Sequence, residues 1–182
     1  MSKRLIIAAC VCFFLSACRS LSGIHLQSFP LLLLPPNVGP EPALYNQRLE
    51  LCANEHCNQL LVVLKIDKSN IKLRGLLPTG QSVYAISYDG KNVTQQSMAE
   101  NALPAEDILT MLQFALWPEK VIRTFYQSSA GWDLQIDNKY RRLAFKDRAK
   151  LHVDYLENGK LVLENFAHNY KVEIETLEYK RL

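Results

Sequence analysis

The sequence predicts a mainly β domain of the α+β class, with about ten antiparallel strands interrupted by one strongly apolar helical stretch. Three observations predict it. Short apolar runs recur along the chain and end at tight-turn pairs such as Asp89-Gly90 and Asn158-Gly159. Several of these runs alternate strictly: Leu151, Val153 and Tyr155 stand against Lys150, His152 and Asp154. One segment alone, Pro104–Tyr126, has helical spacing of its apolar residues. The chain has 182 residues, 48% of them hydrophobic, with 7 Gly and 8 Pro. That is enough for one sizeable core and rules out a disordered or low-complexity protein.

In chain order, residues 18–45 read as a tether, with Pro30, Pro35, Pro36, Pro40 and Pro42 denying it a helix. Its greasy run Leu31-Leu32-Leu33-Leu34 is expected to lie extended against the domain. Strands are then expected at Gln47–Cys52, Asn58–Ile66, Ile71–Leu77, Ser82–Tyr88 and Asn92–Ser97. Leu60–Leu64 has no polar residue, so that strand is expected to be central or covered on both faces. In the helical stretch, Pro104 suits the first helical position, and Glu106 and Asp107 favour the positive end of the helix dipole. Ile108, Met111, Leu112 and Ala115 form one stripe, which Leu109, Phe114, Leu116 and Trp117 extend almost all round. A helix apolar on every side has to be buried on every side. Pro118 then breaks it, and Val121, Ile122 and Phe125 mark a second short helix. Strands follow at Trp132–Ile136, Tyr140–Phe145, Ala149–Leu156, Lys160–Phe166 and Tyr170–Tyr179, with Ala149 expected on the buried face beside Leu151. Tight turns between successive strands make the whole an antiparallel meander.

The N-terminus says where the chain goes. Lys3 and Arg4 precede the apolar run Leu5–Leu15, which is 11 residues long, the layout of an export signal and too short to span a bilayer. Leu15-Ser16-Ala17-Cys18 resembles the bacterial lipobox. The resemblance implies cleavage after residue 17 and acylation of Cys18, and several acyl chains make a stable anchor where one would not. Arg19 stands where an Asp would resemble the signal for inner-membrane retention, so the outer membrane, on its periplasmic face, is the expected location. Three segments result: a signal peptide at 1–17, a lipidated N-terminus and tether at 18–45, and one domain at 46–182. The net charge is +3 and falls towards zero without Lys3 and Arg4, which leaves no electrostatic case for nucleic acid.

Cys52 and Cys57 are the cysteines left once the leader and the lipid site are set aside. They flank a four-residue turn, and an exported chain meets an oxidising compartment, so a disulfide is the expected state. Free thiols and a metal site built from Cys52, His56 and Cys57 are the competing readings. The metal reading has three ligands and no second cluster to complete it. No Gly-x-Ser-x-Gly elbow, phosphate loop or dinucleotide fingerprint occurs. His152 and Asp154 share a strand face and read as a solvated pair, and Asn92-Val93-Thr94 is a chance sequon behind a bacterial leader. Lys139, Arg141, Arg142, Lys146, Arg148 and Lys150 form the densest basic patch, which reads first as a solvated hairpin and second as a contact for anionic headgroups. No catalytic residue, cofactor or metal is expected.

Leu33-Leu34-Pro35-Pro36 and Gln47-Arg48-Leu49 resemble the opening of a family of small bacterial lipoproteins of unknown function that accompany aryl-polyene and fatty-acid-synthase-like gene clusters. The resemblance continues through Leu73-x-Gly75-Leu76-x-Pro78-x-Gly80-Gln81, Tyr88-Asp89-Gly90, Met111–Pro118, Gly131-Trp132, Arg142-Leu143 and Asn165-x-x-x-Asn169-Tyr170, with Asn169 where a glycine is expected. The order of elements is also similar to the lipoprotein-localisation carriers. That similarity implies a curved, incomplete barrel whose helices plug an apolar concave face, and fold alone does not fix function.

The expected function is an outer-membrane-anchored protein that binds or hands over an acyl or polyene chain, or a lipoprotein's lipid, with a periplasmic carrier or pathway protein as a further partner. The expected lining is Leu109, Leu112, Leu116 and Trp117 from the helix, with Tyr84, Ile86 and Tyr88 from the sheet. The same side chains would equally fill the core of the alternative, a non-catalytic structural or assembly accessory with a solid interior and a protein partner.

Overall fold

A computed structural model describes residues 31–53, 56–98 and 102–182. The export signal, Cys18 and the tether as far as Pro30 lie outside the described residues, as do the expectations attached to them. Ten strands form one antiparallel sheet: β1 (Ala43–Ala53), β2 (His56–Ile66), β3 (Ile71–Leu76), β4 (Ser82–Tyr88), β5 (Val93–Ser97), β6 (Trp132–Ile136), β7 (Tyr140–Phe145), β8 (Arg148–Tyr155), β9 (Lys160–Asn165) and β10 (Tyr170–Arg181). Their order across the sheet is β5-β4-β3-β2-β1-β10-β9-β8-β7-β6. The sheet is curved and open, with β5 and β6 as its edges.

Each half is a meander of hairpins, and β1 against β10 joins the halves. That ladder runs from Ala43↔Arg181 to Ala53↔Tyr170 and slips once, between Asn46 and Gln47. Between β5 and β6 come the helices α1 (Ala105–Leu116) and α2 (Glu119–Phe125). Pro118 separates them because it has no N–H to continue the ladder; instead its carbonyl accepts from Val121 and Ile122 as the second helix begins. Ahead of β1, residues 31–35 form a strap with no regular secondary structure and lead into a 3-10 turn at Pro36–Val38. Folded structure therefore starts upstream of residue 46, because Ala43–Asn46 pair with β2 on one side and with the far end of β10 on the other.

The helices cover one face of the sheet, called the inner face below. Val62, Leu64, Leu73, Ile86, Leu151, Val153, Leu163, Val172 and Ile174 are buried there with the helix residues in one cluster. Two expectations change. Ala149 is exposed, because the β7–β8 register slips between Leu143 and Ala144 and moves it out of phase with Leu151. Leu60–Leu64 does lie in an interior strand, but Leu61 and Val63 stay half-buried, since only the inner face carries helices.

Candidate apolar binding site

α1 lies between the sheet and the strap, which explains its apolar circumference. Towards the sheet it buries Leu109 and Leu112. On another side Gln113, 1% exposed, makes two hydrogen bonds to the strap. Its Oε1 accepts from the Leu34 N–H at 2.7 Å and its Nε2 donates to the Leu34 carbonyl at 2.7 Å. A backbone outside regular secondary structure has unpaired donors and acceptors, and a buried amide at this position satisfies one of each. Tyr126 repeats the device: its hydroxyl accepts from the Leu32 N–H at 3.1 Å and donates to the Leu32 carbonyl at 3.3 Å. Burial pushes that phenol up to about 12, with the bond to Leu32 opposing. Further along, Gly39 lies flat on the Trp117 indole, where a Cβ would come within 2.8 Å of the ring.

Both ends of α1 are clasped by side chains from the sheet. At the N-terminal end, Tyr84 donates to the Leu103 carbonyl at 2.7 Å, and Gln95 accepts from the Ala105 N–H at 2.8 Å. At the other end, Arg141 donates to the carbonyls of Phe114 and Trp117, at 2.7 and 2.8 Å, and Tyr155 donates to that of Ala115 at 2.7 Å. These are the carbonyls a helix leaves without intrahelical partners, and a guanidinium there also meets the negative end of the dipole. Mid-helix, Met111 Sδ accepts from the Tyr170 hydroxyl at 2.8 Å, and Asn165 Nδ2 donates to the same hydroxyl at 3.3 Å. The helix thus crosses the inner face from β4 and β5 to β7 and β8, held by polar bonds at its rim and apolar contact beneath.

The structure brings all seven predicted lining residues to one place. Leu109, Leu112, Trp117, Ile86 and Tyr88 are buried in the core cluster, and Tyr84 and Leu116 pack partly buried against it. Two surface depressions lie elsewhere, one lined by Glu119, Lys120, Arg123 and Thr124, the other by a polar set on the opposite face around Arg48 and Glu173. Four buried side-chain atoms have no hydrogen-bond partner among the described residues, and two of them are Trp117 Nε1, just past the end of α1, and Gln47 Oε1 on β1. Gln47 is 2% exposed and pairs across β1–β2 with Val62, which places it on the inner face. Its Nε2 donates to the Thr176 hydroxyl at 3.3 Å.

Sequence reasoning missed Gln113, Tyr126, Arg141, Tyr155 and Gln47. A glutamine within an otherwise apolar helical run was the available signal for the first. Cys52 and Cys57 face each other across β1–β2, with Cα atoms 4.1 Å apart and the sulfurs bonded. Glu50 lies near them, and the three ligand atoms fall within 4.8 Å, but sulfurs bonded to each other are not thiolate ligands. His152 and Asp154 pair at 2.9 Å, with the imidazole stacked on Tyr140. Its Nδ1 has no partner among the described residues.

The profile of a family described as "Protein of unknown function (DUF3261)" matches residues 44–178, from the first residues of β1 to the far end of β10. A comparison with curated proteins finds no match. Among solved structures, a domain described as an outer membrane lipoprotein-sorting protein, from Vibrio parahaemolyticus, aligns over 77% of this chain and 85% of its own, at 9% identity and a TM-score of 0.40.

Proposed function

The chain belongs to the DUF3261 family of proteins of unknown function, and from that premise we propose a membrane-anchored, non-catalytic envelope protein that takes an acyl or polyene chain, or a lipoprotein's lipid, between α1 and the inner face of the sheet. The observation that carries the proposal is that two buried polar atoms, Gln47 Oε1 and Trp117 Nε1, have no hydrogen-bond partner among the described residues. In a solid core each would cost about 1–3 kcal/mol with no return. In a binding protein they are what a ligand's polar end would meet. An apolar chain would gain about 0.8 kcal/mol per buried methylene, so binding would be strong in total and weakly specific along the chain. α1, clasped at its rim, is the element a ligand would displace.

The anchor at Cys18, the outer-membrane location and service to an aryl-polyene pathway belong to the same proposal. They rest on the leader and on the resemblance of the motifs. One observation favours the second reading, a structural accessory with a protein partner: five of the seven lining side chains are buried in the core cluster and the other two pack against it. Native mass spectrometry of a form secreted without Cys18, paired with a fluorescent fatty-acid titration, separates the two. A copurifying lipid and saturable probe binding support the carrier. A clean apo mass with no probe binding establishes the accessory.

A further inference from the structure

β10 is longer than its neighbour. β9 pairs with it only over Tyr170–Glu175, and the β8–β9 hairpin turns back at Asn158-Gly159 beyond Lys160. From residue 176 to 181 the strand is held by β1 on one side, except at Leu177 where that ladder slips, and has no ladder on the other among the described residues. The result is a step in the middle of the sheet, with an open strand edge as its riser. All six residues along it are exposed. Of the seven exposed large apolar side chains among the described residues, four gather at this step: Leu156 on the hairpin tip, and Leu177, Tyr179 and Leu182, each between 43% and 54–55% exposed. An open edge with apolar side chains is a template for strand addition.

The charges on the edge say what fits it. The Leu182 N–H donates to the Pro42 carbonyl, on the β1 side. Backbone groups alternate in direction along a strand, so Glu178 and Lys180 also turn theirs towards β1, while Tyr179 and Arg181 turn theirs to the open side. An antiparallel strand with its dyad at Tyr179 would exchange both hydrogen bonds of that residue with its symmetry mate. The same register sets Glu178 opposite Lys180 of the second strand, and Lys180 opposite its Glu178. Glu178 gives one carboxylate oxygen to Asn46 at 2.7 Å and has the other to offer, and Lys180 forms no ion pair among the described residues. Moving the dyad by one residue would put two Glu178 carboxylates face to face, which is unfavourable for directly opposed side chains. The strip is complementary to itself in one register.

We propose that the step on β10 is a homodimer interface, in which residues 177–181 of two copies pair antiparallel about Tyr179 and continue the sheet from one molecule into the next. A strip this short falls below the area of a tight dimer, so the association is concentration-dependent. Its symmetry is isologous, so it closes at two and does not propagate.

The test uses the full chain carrying Tyr179→Cys, oxidised mildly over a concentration series, with Lys72→Cys on the exposed side of β3 as the control. Tyr179→Cys should give a cross-linked dimer that grows with concentration, and Lys72→Cys should not. In the same background, Glu178→Lys or Lys180→Glu alone should reduce the dimer at least tenfold. The double variant should restore it, and mixing the two single variants should give the mixed pair. These side chains are exposed, and an unchanged thermal melt verifies that each variant folds. A chain that stays monomeric at every concentration overturns the proposal, as does a double variant no better than the singles, or a cross-link to a different protein in place of the dimer.

Discussion

Replacing Gln113 with leucine would cut the strap from α1 while nearly preserving volume. The two hydrogen bonds to Leu34 vanish, and the strap N–H and carbonyl are left facing an apolar side chain. If the strap stays in place, each orphaned group costs about 1–3 kcal/mol, or about 2–6 kcal/mol together. If it lifts off, the chain loses the burial of Leu34, about 1.5–3 kcal/mol, and the bonds from Tyr126 to Leu32, about 1 kcal/mol each. The cheaper route sets the result, so the expected loss is about 2–4 kcal/mol, a large part of the 5–15 kcal/mol typical of a domain. Urea unfolding gives the total, and hydrogen exchange shows the route: amides of residues 31–38 should lose protection while those of β1 and β10 keep theirs. A Gln113→Leu protein with less than about 0.5 kcal/mol of destabilisation and an unchanged Leu34 amide would refute the reasoning.

Further outcomes follow from other contacts. Gly39→Ala should lower the melting temperature, because its Cβ would sit 2.8 Å from the Trp117 ring, and an unshifted melt would show that the indole yields. Cys52 and Cys57 should resist alkylation until reduced, and reduction should cost at most about 2 kcal/mol, since the loop they close is short; full labelling of the unreduced protein would contradict the bridge. Leu112→Ala should cost about 2–5 kcal/mol and be partly restored by a saturating acyl probe under the carrier proposal; a melt that the probe leaves unchanged speaks for the solid interior. On the outer face, the hydrogen bond from Arg48 holds the Glu175 carboxyl below 4.5, with slight burial opposing. A depressed carboxylate stabilises above its unfolded value and loses that contribution as pH falls through its folded one. The melting-temperature gap between the wild type and Glu175→Gln should therefore shrink on acidification below 4.5, and a constant gap would mean that the pair contributes nothing.

What was legible in the sequence was local. The Asp89-Gly90 and Asn158-Gly159 turns, the alternation around Val153 and the Pro118 break all act over a few residues, and the strands and helices stand close to where these signals put them. The greasy Leu31–Leu34 run lies against the domain, with Leu34 in the core and Leu31 and Leu33 packed on it. What was not legible is long-range. Nothing near Gln113 indicates that its amide will meet a backbone 79 residues upstream, and nothing near Arg141 indicates that it will cap a helix ending 24 residues earlier. The register slip that exposes Ala149 depends on where β7 bulges, which no period in β8 encodes. The predicted lining residues were found together because apolar side chains on the two elements have to meet. Whether they enclose space depends on how closely α1 approaches the sheet, and that is set by the rim clasps rather than by apolar character.

The central place of the β1–β10 pair has a consequence for how the chain acquires its shape. Each half, β1–β5 and β6–β10, consists of sequential hairpins that can form from neighbouring residues as they emerge. The ladder that unites them joins residues more than a hundred positions apart, from Ala53↔Tyr170 to Ala43↔Arg181. Such a closure carries the entropy of a long loop and is intrinsically slow. During synthesis β1 waits with one side unpaired until β10 is complete, and the inner face behind it stays unfinished for that time. A chain built in this way stays without its closing ladder until late in synthesis. It also leaves β1 as the segment most in need of a chaperone while it waits.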